Sequence, residues 1–320
     1  MPTVSNSTAF TDALEARTAR VAEIETAVAI LLGTDPAQVP AENIHNFVSM
    51  AAERGLNLDD LWICQSNGKV LWVMLPVISP GKTMLLLSPP WLPKNLPMGA
   101  VQRVVDAACG FHQRGGIELA QLLIDPAAKS MKQVYVQLGF TDLAELIYLQ
   151  REVKKIVSLP PLPPSIQMVN YSPELHGQFV QTIARSYEQS LDCPGLSGMR
   201  DMEDVVTGHK GVEFNPDIWF LMLIDGQPAG VLLMGTATHA NALELVYLGL
   251  VPEARGKGLG DILVNLALLT VYRQNRSDLT LAVDSRNTPA TRLYYRHGLK
   301  KVGTRAALVK RIVGAYEPGP

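Results

Sequence analysis

The chain has little cysteine, little net charge and no long apolar run, and each shortage removes a class of function. Three cysteines in 320 residues, Cys64, Cys109 and Cys193, are too few and too far apart for a disulfide framework or a CxxC metal site. They predict a reducing compartment and no bound metal. Lys and Arg number 28 against 30 Asp and Glu, a net charge of −2. That balance gives no general attraction to nucleic acid or to an anionic membrane. No segment approaches the ~18 apolar residues of a membrane span. The opening "MPTVSNSTAF" lacks the basic stretch and apolar core of a signal peptide. The expectation is a cytoplasmic protein with neither nucleic acid nor membrane as partner.

Two phosphate-binding signatures are missing as well. The closely spaced Gly256, Gly258 and Gly260 read GxGxG and not the dinucleotide pattern GxGxxG. In "PVISPGKT", Pro76 stands where a P-loop needs its first glycine, so Gly81-Lys82 reads as a hairpin turn.

What is present is a sequence written twice. "QLLIDPAAKSMKQVYVQLGFTDLAELIYLQR" in the first half parallels "LTLAVDSRNTPATRLYYRHGLKKVGTRAALVKR" in the second. Asp125 pairs with Asp284 and Gly139 with Gly298, each 159 positions apart, and at the same offset Pro93 meets Pro252 and Gly99 meets Gly258. Trp62 pairs with Trp219 at an offset two residues shorter. So long a period means a duplicated domain and not a solenoid. The stretch "LPPLPP", 159–164, reads as a stiff linker between a domain over 1–158 and another over 165–320.

The second half alternates strand and helix signals. Strands are expected near 165–170, 218–224, 229–237, 241–251 and 279–284, with one or two more over 299–312. Helices are expected near 173–189, 199–208, 258–274 and 289–297. Asp225-Gly226 marks a hairpin turn, and Ile262, Leu266 and Leu269 fall on one helical face. The fold class is α/β, with an antiparallel front and a β–α–β unit behind it.

The motif "VPEARGKGLG", 251–260, lies between a strand and a helix. Pro252 holds Val251 extended and ends the strand. The helix that follows opens with unpartnered N–H groups at the positive end of its dipole. Gly256, Gly258 and Gly260 bare the backbone to an anion and permit positive φ, while Arg255 and Lys257 add charge. The ligand that suits such a loop is a diphosphate.

This motif resembles the acetyl-CoA signature of the GCN5-related N-acetyltransferase (GNAT) family, Arg/Gln-x-x-Gly-x-Gly/Ala, matched by Arg255, Gly258 and Gly260. A second GNAT signature is matched by Asn287, Ala290, Leu293 and Tyr294, followed by Gly298-Leu299. The resemblance covers about 165–312 and implies two tandem GNAT-like domains, each a mixed, mainly antiparallel sheet flanked by helices. It implies an acetyl-CoA-dependent N-acetyltransferase acting on a small-molecule or protein amine by direct attack. Acetyl-CoA would lie against Leu250, Val251, Arg255, Gly256, Lys257, Gly258, Leu259 and Gly260, with Asn287 beside it. The first half has Leu96, Pro97, Met98, Gly99, Ala100 and Val101 at the corresponding positions and is expected to have lost this site.

Tyr294 is the family's candidate general acid. Its counterpart Tyr135 survives in the first half, so core packing stands beside catalysis as a reading, and Tyr295 is a weaker substitute. Asp284 is echoed by Asp125 and reads as structural, whereas Asn287 meets Ala128. Glu244 is the candidate base and Tyr247 the other polar candidate on that strand. The N–H of Leu250 would polarise the thioester. His297 reads as a helix-end contact, and Cys193 as a nucleophile without an evident activating partner. On the acceptor side, 186–204 carries Glu188 and Asp192, one turn apart if the helix reaches them, and favours a cationic amine. The competing class is an acyl-CoA sensor without turnover.

Overall fold

The computed structural model describes residues 14–33, 36–97, 99–155, 161–211, 213–237 and 241–312. The expected domains' ends (1–13, 156–158 and 313–320) and linker residues 159 and 160 lie outside these. Met98, expected to replace Lys257 in the first half, lies outside them too.

The two halves run through the same ten elements. The first has β1 (Glu15–Thr18), α1 (Ile24–Leu32), α2 (Ala41–Glu53), β2 (Trp62–Ser66), β3 (Lys69–Ser79), β4 (Thr83–Leu87), α3 (Ala100–Arg114), β5 (Leu119–Ile124), α4 (Lys129–Gln137) and β6 (Thr141–Glu152). The second has β7 (Ile166–Asn170), α5 (His176–Ser186), α6 (Met202–Lys210), β8 (Trp219–Ile224), β9 (Gln227–Thr236), β10 (Ala242–Leu250), α7 (Leu259–Arg273), β11 (Asp278–Asp284), α8 (Thr288–Arg296) and β12 (Lys300–Arg311). Every expected element of the second half is present. The final segment is one strand, and α7 is buried around most of its circumference rather than on one face. Hairpins β2–β3 and β8–β9 turn on Asn67-Gly68 and Asp225-Gly226. All four residues have positive φ, the twist that tight hairpins need. Gly81 and Lys82 turn the β3–β4 hairpin, also at positive φ.

One feature departs from two separate sheets. All twelve strands form one sheet in the order β1-β2-β3-β4-β5-β12-β6-β11-β10-β9-β8-β7. Each half therefore lends its last strand to the other. β12 pairs with β5 of the first half, β6 pairs with β11 of the second, and the two lent strands pair with each other, all antiparallel. The cores follow the strands. Leu149 and Val153 fill the second-half core, and Ala306, Leu308 and Ile312 fill the first. A buried side chain of Val or Leu size stabilises by about 1.5–3 kcal/mol, so the exchange is a substantial part of each core.

A second link crosses between the halves. Arg200 Nη2 donates to the Gly81 carbonyl (2.9 Å) and to the Asp204 carbonyl (2.7 Å). Lys82 Nζ pairs with Asp204 (3.0 Å) and Glu118 (3.1 Å). Cys193, Leu196 and Met199, in the loop between α5 and α6, pack on Leu119, Leu143, Ala144 and Val309. The tip of the first half thus holds the loop that follows α5.

Candidate active site

β10 and β11 run parallel and pair only at Ala242–Asp278, Leu243–Leu279 and Glu244–Thr280. Beyond these, β10 bonds to β9 and β11 to β6, so the strands part. The gap is a cavity of about 210 Å³, walled by β10, the end of β11, α8 and the segment after α5. A bulge at Val246 resets the alternation of β10. Glu244 opposes Gly235 and Tyr247 opposes Leu233, so both side chains lie on the face covered by α5 and α6.

Backbone donors differ along the strand's end. The Val251 N–H is bonded to the Ala229 carbonyl (3.0 Å). Antiparallel pairs alternate, so Leu250, one residue earlier, directs its N–H away from β9 and into the gap. Of the two expected backbone contacts, Leu250 has a free donor and Val251 does not.

The glycine loop lies at the mouth of the gap. Gly256 and Gly258 have φ of 72° and 77°, a region costly for a residue with a Cβ. Gly258 caps α7, and a Cβ at either glycine would meet nothing within 4 Å. Among the described residues, the N–H groups of Gly256, Lys257, Gly258, Leu259 and Gly260 make no backbone hydrogen bond. Five adjacent donors at a helix N-terminus fit a diphosphate. Gly260 is bare for a different reason: a Cβ there would come within 2.9 Å of Leu293 on α8. Arg255 is engaged by its own chain, with Nε on the Leu250 carbonyl (3.1 Å), Nη2 on that of Ser186 (2.9 Å) and Nη1 on that of Gln189 (3.4 Å). It ties the loop to the end of α5. Lys257 is exposed. Asp261, in the first turn of α7, anchors α8 through Arg296 (2.8 Å) and His297 (2.8 Å), which accounts for His297 as a helix-end contact.

Tyr294 and Asn287 line the cavity from α8. Tyr294 is 6% exposed, and burial, then the nearby Asp192 charge, pushes its hydroxyl pKa well up. Tyr135 is wholly buried in the first half's core. Tyr295 is exposed. Asn287 caps α8 through Oδ1 on the Ala290 N–H (3.3 Å), whereas Ala128 gives α4 no side-chain cap.

Asp192 also lines the cavity. It accepts from the Asp284 N–H (3.1 Å), and Asp284 in return accepts from the Cys193 N–H (3.1 Å). Asp284, fully buried, also takes a bidentate pair from Arg286 (2.6 and 3.0 Å). Asp284 is thus the structural carboxylate that pins Asp192 over the gap. Burial raises the Asp192 carboxyl above its ordinary value, opposed by the Asp284 N–H. Glu188 is exposed and does not line the cavity. α5 stops at Ser186, and Gln189 turns to φ 55°, so Glu188 and Asp192 do not share a helical face. Glu244 lies where β10 and β11 are still paired, outside the cavity lining, and burial raises its carboxyl too. The Cys193 thiol is pushed up to about 12 by burial and by the Asp192 and Asp284 charges, which removes it as a nucleophile.

Sequence reasoning missed the aromatic cluster beside Asp192. Tyr247 bonds Ser186 Oγ (2.8 Å), stacks on His209 (5.3 Å, 21°) and meets Tyr187 edge-on (5.4 Å). These residues come from three elements, and no local pattern joins them.

Among the described residues, no group of three His, Cys, Asp or Glu side chains could hold a metal, and no helix is long and apolar enough to cross a membrane. Residues 186–299 match the model of the acetyltransferase (GNAT) family. The match falls wholly within the second half. Its relatives include a mycothiol acetyltransferase of Actinosynnema mirum, 27% identical over 201 residues, 58% of this chain and 66% of that one. Another, from Jonesia denitrificans, is 36% identical over 173 residues, 52% of this chain and 54% of that one. The matches therefore span less than two thirds of each relative. A GCN5-related N-acetyltransferase of Sphaerobacter thermophilus has the same fold along nearly the whole chain, with a TM-score of 0.61, 17% identity, and coverage of 94% of this chain and 96% of that one. Two tandem GNAT-like α/β units are thus present, sharing one sheet.

Proposed function

We propose that residues 165–320 transfer an acetyl group from acetyl-CoA to an amine, and that residues 1–158 serve as scaffold. The observation that carries this is the row of five unengaged N–H groups opening onto a gap lined by Tyr294, Asp192 and the Leu250 N–H. The Gly256–Gly260 donors hold the diphosphate, with Lys257 adding charge and Arg255 fixing the loop. The Leu250 N–H meets the thioester oxygen as it gains negative charge. Asp192 attracts the protonated amine and takes one of its protons. Glu244, on the same sheet face but outside the cavity, acts only through water. The freed amine attacks the carbonyl carbon directly, within a ternary complex. As the carbon–sulfur bond breaks, Tyr294 protonates the leaving thiolate, and the proton that the new amide nitrogen sheds restores the Tyr294 hydroxyl.

The relatives support an amine acceptor, and the Asp192 carboxylate favours a cationic one. The test is thiol release from acetyl-CoA across an amine panel. Amine-dependent release is expected. Saturable acetyl-CoA binding with no release from any amine would leave only the sensor reading.

A further inference from the structure

A second cavity, of about 170 Å³, adjoins the first, and the two share Ser190, Asp192, Val246 and Tyr247. It lies between β10 and the segment joining α5 to α6. The walls it does not share are mainly Tyr187, Pro194, Leu196 and His209.

Its chemistry is narrow. Asp192 is the one carboxylate in the lining, at the junction with the first cavity. His209 is held neutral at pH 7, its pKa lowered to about 4 by burial and then by the Arg200 charge behind it. Its ring offers a flat face, as do the two tyrosines. The polar atoms are mostly engaged. Tyr247 OH bonds Ser186, Tyr187 OH lies 3.4 Å from His209 Nε2, and Ser190 Oγ accepts from the Asp192 N–H at 3.1 Å. A polyhydroxylated group would lose water there and find few partners. A second ammonium would be carried away from Asp192 and toward Arg200.

Resting on the transferase reading above, we propose that this second cavity is the acceptor subsite, and that it takes a monoamine on an uncharged, flat apolar body, of the arylalkylamine class. The ammonium would sit at Asp192, between the two cavities. The ring would lie among Tyr187, His209 and Tyr247, where aromatic contacts are favourable.

The test compares phenethylamine, butane-1,4-diamine and glucosamine with the full chain, both as acceptors at saturating acetyl-CoA and as ligands of the CoA-bound protein by calorimetry. Phenethylamine should lead in kcat/KM and in affinity by 10-fold or more. Ser197→Trp, at an exposed lining position, should raise its KM by 10-fold or more and leave acetyl-CoA binding unchanged. His209→Ala should widen the cavity and shift preference toward naphthylethylamine. Tight phenethylamine binding without turnover would support the subsite and sink the transferase reading. Better turnover of the diamine or the amino sugar would do the reverse. Equal binding of all three amines, or indifference to both substitutions, would overturn the subsite.

Discussion

The two halves hold the same elements, and from α3 and α7 onward their bounds match to within one residue at an offset of 159. Gly99 and Gly258 both cap a helix at positive φ, and Gly139 and Gly298 both follow one. β4 and β5 part after three parallel pairs, as β10 and β11 do. The fold therefore did not need the anion loop. Where the second half leaves Gly258 open, Leu14 approaches the corresponding space at Gly99, and it packs with Leu96 on the first core. Pro97 removes a donor that Gly256 keeps. The scaffold is present in both halves, and the glycine loop in one.

The largest effect should come from valine at the two helix-capping glycines. Gly258→Val should abolish acetyl-CoA binding, a loss of 100-fold or more, while Gly99→Val should lower only Tm, since both positions have positive φ. Calorimetry of the unaltered chain should give one acetyl-CoA per chain. A stoichiometry of two would break the comparison. The paired tyrosines come next. Tyr294→Phe should cut kcat by roughly 10²-fold with acetyl-CoA affinity unchanged, and Tyr135→Phe should leave kcat alone. Equal kinetics in the two variants would make both residues packing groups.

Asp192 is the carboxylate that lines the cavity. Its raised pKa should place an acid limb in the rate profile above the ordinary Asp range near 4. Folding tightens proton binding at this group, so the stability it contributes is present at low pH and lost as pH rises through the folded value. Asp192→Asn should therefore remove the acid limb and most turnover while raising Tm at pH 7. A limb that survives would pass the role to Glu244. The smallest effect should come from the first half's hairpin. A Cβ at Gly81 would fall 2.0 Å from the Asp204 carbonyl and 2.5 Å from Arg200 Nη2. Gly81→Val should raise the acceptor KM about several-fold and leave acetyl-CoA affinity unchanged. No change would confine the first half to covering surface.

Much of this was legible in the chain. The duplication showed because Asp, Gly and Tyr recur at one spacing, and the glycine loop showed because positive φ and a bare backbone demand glycine. The strand exchange was hidden. β6 and β12 are both twelve residues long and close the same run of elements, so length and order left either free to close either sheet. The end of α5 was hidden too, because its break rests on Gln189 at positive φ, a residue that rarely marks one. The reading of Glu188 with Asp192 failed there. His209 and Tyr187 gave no signal, since their meeting with Tyr247 depends on the path of three separate elements.

The lent strands also set the terms on which the chain can be cut. Severing it at 161–164 would leave two pieces clasped together, each gripping the other's last strand. Removing 300–312 would take Ala306, Leu308 and Ile312 out of the core that contains Trp72 and Tyr135. The half synthesised first would lose its closing piece, so its hydrophobic interior stays incomplete until 300–312 have been made.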